Sequence, residues 1–272
     1  MKKQLLVLVF MLTWYVILNG QQAVQPIGEG TEDSPYLIES WQNLNWINQD
    51  QIRWNKHYKQ TADITFPDEI TTWNNGKGWK KIGIEEMDDN SHPFTGVYDG
   101  DGYTISGLYM NYNVGGSFNG FFACIRNATI KNLGFYNVDI LTGSYSGVLV
   151  GYVISSSTID NCFAEGTITS TSDPCGGLVG YINNSTINNS YFIGDVSALS
   201  GSGGLSGSSS SSTISNSYFI GSITSENNSV VGGLSAGNSN VTYINSFYNY
   251  DTTLLNGENI LSFGAINNDL FN

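Results

Sequence analysis

Residues 147–169, GVLVGYVISSSTIDNCFAEGTIT, decide how the rest of the chain is read, because 176–197, GGLVGYINNSTINNSYFIGDVS, and 203–224, GGLSGSSSSSTISNSYFIGSIT, say the same thing again. Leu149, Leu178 and Leu205 occupy equivalent places. Phe122 and Leu234 extend the series at spacings of 27, 29, 27 and 29 residues. A fixed period of this length is the mark of a repeat architecture. Within each copy an apolar run follows the glycines, then STI or its like, then an aromatic segment ending in EGTIT, GDVS or GSIT. Each copy therefore reads as three short β segments separated by Gly, Ser and Asn turns, and none carries the 3.6-residue stripe of a helix.

Three short strands per repeat is the size of one turn of a parallel β-helix, in which successive turns stack about 4.8 Å apart and like residues pile into ladders. Seven to nine such turns predict a rod about 35–45 Å long. The Ile, Leu and Phe positions become interior stacks. Asn132, Asn161, Asn189 and Asn216 become an asparagine ladder at a bend, where stacked amides bond to one another. The paired glycines are expected to supply a corner with positive φ. GGLVG is no phosphate loop, because neither a Lys nor a helix pattern follows it.

Working outward, the copies at 120–146 and 232–250 are degenerate, and the chain changes character before them. Beyond residue 20, every Trp (41, 46, 54, 73 and 79) lies in one 39-residue stretch, and no Lys, Arg or His follows Lys131. Of 272 residues only 12% are charged, with 10 Lys and Arg against 23 Asp and Glu, a net charge of −13. No basic patch of the kind that binds nucleic acid is legible. Disorder is excluded as well, since 16 Tyr, 13 Phe and 6 Trp supply ample surface to bury. Lys2 and Lys3 precede the 14-residue apolar run Leu5–Leu18. That run falls short of the roughly 20 residues of a membrane span and fits a secretory signal peptide over residues 1–20. An uncleaved anchor is the other reading. No membrane insertion of the mature chain is expected. Cys124, Cys162 and Cys175 are too few and too uneven for a disulfide framework and match no zinc spacing. A Cys162–Cys175 pair and buried free thiols both stand open.

The repeat copies resemble the GLUG motif, named for its Gly-Leu-Val-Gly core and found in tandem in secreted and surface proteins of bacteria. GTEDSPYLIES, SWQNLNWINQ, WKKIG and FTGVYDGDGYTISGLYMN likewise resemble, in that order, the usual N-terminal section of such domains. The resemblance covers roughly residues 28–250. It implies an all-β, right-handed single-stranded parallel β-helix with a short N-terminal capping helix, in a secreted or cell-surface, adhesin-like protein. The expected organisation is a signal peptide (1–20), a cap with the first turns (21–119), GLUG-like repeats (120–250) and a tail or partial cap (251–272). An open end of a β-helix exposes strand edges and raw core. Ser40 is placed to N-cap a helix over Trp41–Gln49 that seals it, and the tryptophans are read as core and cap, with a sugar-stacking platform as the sharper alternative.

Catalytic chemistry is sparse. Many polysaccharide lyases and glycosidases share the implied fold, so the carboxylates Glu85, Glu86, Asp88, Asp89, Asp99 and Asp101 are the candidates for an acid pair. Asp99-Gly-Asp101-Gly resembles half a calcium loop. His57 and His92 stand alone, without a zinc-protease or serine-triad arrangement. The columns Thr167, Asp195, Ser222 and Thr169, Ser197, Thr224 form hydroxyl ranks of the kind seen on ice-binding solenoids, but Asp195 interrupts them. No catalytic, cofactor-binding or metal-binding residue is assigned and no cofactor is expected. The expected partners are glycans or a host or matrix surface. The expected function is a non-catalytic, adhesin-like stalk or binding scaffold, with a glycan-active β-helix enzyme or its inactive relative as the alternative.

Overall fold

The computed structural model describes residues 21–84, 92–112, 116–227, 230–259, 261–262 and 264–266. The segment read as a signal peptide and the carboxylates at 85–89 lie outside the described residues. The chain forms a parallel β-solenoid of about six turns, fewer than the seven to nine expected. The shortfall lies before residue 97, where short helices and loops between Trp41 and Ile84 occupy chain that turns would otherwise use.

One complete turn shows the plan. Val150–Ile154, Thr158–Asp160, Phe163–Ser170 and Cys175–Gly176 are its strands, and each pairs in parallel with its counterpart in the next turn. There are four faces per turn, not three. Among the described residues two sheets have five strands each, one has eight and one has ten. The unforeseen face is the two-residue strand at the glycines. Gly176, Gly177, Gly203 and Gly204 are absent from the positive-φ positions, so the expected corner role is wrong. Their need is space. A Cβ on Gly177 would sit 2.3 Å from the Gly204 carbonyl oxygen and 2.3 Å from the Phe192 ring. Corners are turned instead by asparagines and serines. Asn132, Asn161, Asn189, Asn216 and Asn245 all take φ between 46° and 53°, a region Asn tolerates because its short amide bonds locally.

The asparagine ladder forms only in part. Asn161 Nδ2 donates to Asn132 Oδ1 at 2.8 Å and Asn245 Nδ2 to Asn216 Oδ1 at 3.3 Å, but Asn189 Nδ2 donates to Asp160 Oδ1 and Asn216 Nδ2 to Asn188 Oδ1, both in the neighbouring column. Inside, Tyr98, Ile130, Ile159, Ile187 and Ile214 form one fully buried ladder in register. Leu149, Leu178, Leu205 and Leu234 form another. In the preceding turn Phe122 pairs with Val150, so Phe121, not Phe122, continues the leucine column. The doubled Phe in GFFAC hid this register, because either ring satisfies an apolar pattern.

Buried serines stitch the turns together. The backbone N–H of Ser157 donates to Ser185 Oγ at 3.1 Å and that of Ser185 to Ser212 Oγ at 3.2 Å. Ser190, Ser217 and Ser246 repeat the device at the next corner. Each added turn so satisfies a buried donor of the one before it.

The cysteines belong to these columns. Cys162 stands where later turns carry Ser190 and Ser217: its N–H donates to Ser190 Oγ at 3.1 Å, and its Sγ lies 3.3 Å from the Asp160 carbonyl. Cys175 pairs in register with Ser146 and Ser202. All three cysteines are buried and none is in a disulfide, which answers the Cys162–Cys175 alternative. Burial pushes the Cys162 thiol up to about 12. Because the thiolate is the nucleophile, the folded chain is expected to resist iodoacetamide at pH 8 at all three sites and to react threefold on denaturation. Rapid labelling of any of them in the folded chain, read by mass spectrometry, contradicts this packing.

The N-terminal section caps the solenoid. Ser40 has extended backbone and its Oγ accepts from the Asn43 N–H, starting a helix over Trp41–Asn48. Leu44 and Ile47 are fully buried beneath it. Trp54, Trp73 and Trp79 are buried, and Trp79 stacks on Phe121 with centroids 5.0 Å apart and planes within 4°. Three of the five tryptophans are thus core, and Trp41 and Trp46 pack half-buried against it. A tryptophan sugar platform is not what these rings build.

Candidate functional site

Three surface features merit a functional reading. The first crosses the repeats. Between the first and second faces a groove of about 300 Å³ spans three successive turns, lined entirely by Ser, Thr and Asn. Its floor follows from the alternation along the short strands: Ile159, Ile187 and Ile214 are buried and point in, so the half-buried Thr158, Thr186 and Thr213 point out. The three threonines stack in register, and among the described residues their hydroxyls make no hydrogen bond within the chain. Ser156, Asn184 and Ser211 form the groove's corner, all with φ between 47° and 63°. A row of free hydroxyls can donate and accept along a polar ligand. It holds no group able to titrate near neutrality.

The second feature is the outward aromatic stack. Phe163, Tyr191 and Tyr218 lie 4.9 and 4.8 Å apart with planes within 6°. Their faces cover one another, so solvent meets ring edges and not a stacking surface. The hydroxyl columns named from the sequence, Thr167–Asp195–Ser222 and Thr169–Ser197–Thr224, run beside it in register. Ser222 Oγ donates to Asp195 Oδ1, so the interruption by Asp195 is itself bonded into the column.

The third lies at the cap. A cleft of about 880 Å³ runs between the capping helix, with its following turn, and the first full turn. Lys77, Lys80, Lys81, Tyr112, Asn48 and Asp50 line it. Lys81 Nζ donates to Ser117 O at 2.6 Å, Phe118 O at 3.1 Å and Asn119 Oδ1 at 2.9 Å. Burial, with the nearby Lys77 charge, pulls its pKa down to about 8. The segment WKKIG was legible only as part of a family resemblance. A sharper signal was present: three of the eight cations beyond residue 20 fall within five positions.

The candidate carboxylates that the structure describes are already engaged. Asp99 is ion-paired with Lys131 at 3.1 Å and accepts from Asn132 Nδ2 at 2.9 Å. Burial raises its pKa, but the hydrogen bonds from Asn132, the Asp101 N–H and Lys131, with the Lys131 charge, outweigh that and hold it below the ordinary value. A general acid needs the opposite shift. Asp101 pairs with Lys59 at 3.1 Å. Asp99 Oδ1 also accepts from the Asp101 N–H, which makes Asp99-Gly-Asp101 a tight turn. Among the described residues no group of three or more His, Cys, Asp or Glu could hold a metal, and no helix is long and apolar enough to cross a membrane.

The comparisons with known proteins agree with this geometry. Residues 142–169 match the family model of the GLUG motif. The chain is 34% identical over 161 residues to halomucin of Haloquadratum walsbyi, a match that covers 59% of this chain and 2% of that protein. It is 32% identical over 143 residues to a "putative Gly-rich membrane protein" of Evansella cellulosilytica, covering 51% and 15%. The chain therefore spans a small part of the length of these curated relatives. The crystal structure of a "putative immunoglobulin A1 protease" from Bacteroides ovatus superposes with a TM-score of 0.61 at 18% identity over 86% of this chain and 81% of that one, a likeness of fold alone. With the motif matched, its copies in register and the turns stacked in parallel, the chain is a parallel β-solenoid that carries the GLUG motif at residues 142–169.

Proposed function

We propose that the chain is a non-catalytic, adhesin-like stalk or binding scaffold outside the cell or at its surface, and that the repeats hold neutral glycans along the threonine groove. The observation that carries this reading is the groove itself: stacked hydroxyls, uncommitted among the described residues, in a lining free of titratable groups. Sugar hydroxyls match such a row group for group. Each bond contributes only about 1 kcal/mol, so retention grows from many weak contacts and from display in several copies. A surface location draws support from the names of the two relatives, a halomucin and a "putative" membrane protein.

Thr158→Val, Thr186→Val and Thr213→Val together remove three hydroxyls while keeping β-branched strand residues of nearly the same shape. On an array of neutral glycans the wild type is expected to be retained. The triple variant is expected to lose about tenfold or more in affinity, with an unchanged unfolding midpoint. Equal retention of both proteins, or of neither, overturns the groove reading.

A further inference from the structure

We infer that the cap cleft is a second binding site, specific for a carboxylate-bearing glycan such as a polyuronate. It lies away from the repeat groove and uses none of its residues, so it stands or falls independently of the reading above.

The charge argument comes first. The chain carries 13 more acids than bases, yet this cleft gathers Lys77, Lys80 and Lys81. Among the described residues none of the three is paired with a carboxylate, whereas Lys59 and Lys131 elsewhere are. Asp50 is the one acid lining the cleft among those residues, and its Oδ1 is occupied in accepting from the Ile52 N–H. Lys81 has spent all three of its donors on neutral acceptors. Among the described residues its charge therefore has no counter-ion in a half-buried place, where an ammonium is costly to keep. An arriving anion relieves that cost. Lys77 and Lys80 are exposed and, among the described residues, make no ion pair, so they can grip it.

A second, independent observation narrows the ligand. Asn48 is 2% exposed and lines the same cleft. Its Nδ2 donates to the Lys80 carbonyl, which leaves its Oδ1 buried with no hydrogen-bond partner. Buried acceptors in folded proteins are almost always satisfied. This one needs a donor, and a bare anion has none to offer. A ligand that brings a carboxylate for the lysines and an adjacent hydroxyl for Asn48 meets both demands, and a sugar acid carries the two side by side. Lys81 Nζ lies 5.4 Å and Lys77 Nζ 5.6 Å from the centre of the Tyr112 ring, so one aromatic wall holds the cations in place.

The test titrates the purified chain with polygalacturonate, dextran, dextran sulfate and double-stranded DNA by calorimetry at low salt. Polygalacturonate is expected to bind and dextran not to bind here. The double variant Lys77→Gln, Lys80→Gln is expected to lose about tenfold to a hundredfold in polygalacturonate affinity. Both side chains are exposed, so its unfolding midpoint is expected to match the wild type. Lys59→Gln, which removes a cation that does not line the cleft, is expected to keep full affinity. The proposal is overturned if polygalacturonate does not bind, if the double variant binds it as well as the wild type, or if dextran sulfate or DNA binds as tightly as polygalacturonate. The last result would mean charge alone.

Discussion

Gly194→Ala is expected to destabilise the chain by about 3–5 kcal/mol, as much as losing a large core side chain. Gly194 sits in the middle of the long third-face strand, Tyr191–Ala198, with φ at 144°. Its counterparts Gly166 and Gly221 take 149° and 146°, so the three glycines form a ladder of their own. Two costs combine. The backbone conformation is one that side chains rarely adopt. In addition, a Cβ at Gly194 would sit 1.9 Å from the Gly166 carbonyl oxygen and 2.9 Å from its carbon, which are backbone atoms of the preceding turn. Neither can move without opening the inter-turn ladder. Gly102 supplies the control: its φ is 87°, but nothing lies within 4 Å of its added Cβ. Gly102→Ala is expected to cost only about 1 kcal/mol. Urea midpoints of the two variants decide the matter, and equal shifts would mean that close stacking of turns is not what the glycines serve.

Trp79→Ala is the second large effect, expected at about 3–5 kcal/mol. Trp79 is fully buried, stacked on Phe121 and within 5.3 Å of Phe66 between ring centroids. Its Nε1 donates to the Phe121 carbonyl at 3.1 Å. The residue therefore joins the cap to the first full turn by both packing and a buried hydrogen bond. Truncation leaves a cavity where the cap meets the solenoid core and loosens the cover over the strand edges there. An uncovered edge is a template for other chains, so light scattering is expected to rise during thermal unfolding of this variant at temperatures where the wild type stays clear. Trp41 packs on Trp73 at 5.0 Å but remains half-buried, so Trp41→Ala is expected to cost clearly less. If Trp41 proves the costlier of the two, the seal lies at the helix and not at the Trp79–Phe121 contact.

The repeat period and its columns were legible because a solenoid makes long-range structure local in sequence. Residues 27 to 29 apart become neighbours, so aligning the copies is already a contact map. That is why Thr167, Asp195 and Ser222 fall in register as read, and why Asn132 and Asn161 meet. The short capping helix was legible through Ser40 and its following apolar face. What escaped notice depends on backbone geometry or on unrepeated contacts. The fourth face was hidden because glycine carries no side-chain pattern by which a strand is read. The serines at 157, 185 and 212 looked like turn residues, although they are buried stitches between turns. The cap cleft was out of reach for a different reason. It brings residues 48–50, 77–81 and 112 together only once, so no repeat announces it. Asp99 and Asp101 drew attention as chemistry, but Lys131 and Lys59, distant in sequence, hold them in ion pairs.

A solenoid that holds glycans without cutting them leaves their length unchanged. The most direct test incubates the purified chain with each glycan it retains and follows new reducing and unsaturated ends over several days. Every retained glycan is expected to be recovered at its original length. The appearance of either kind of end, growing with time and protein concentration, would contradict it and assign the chain to the glycan-active enzymes.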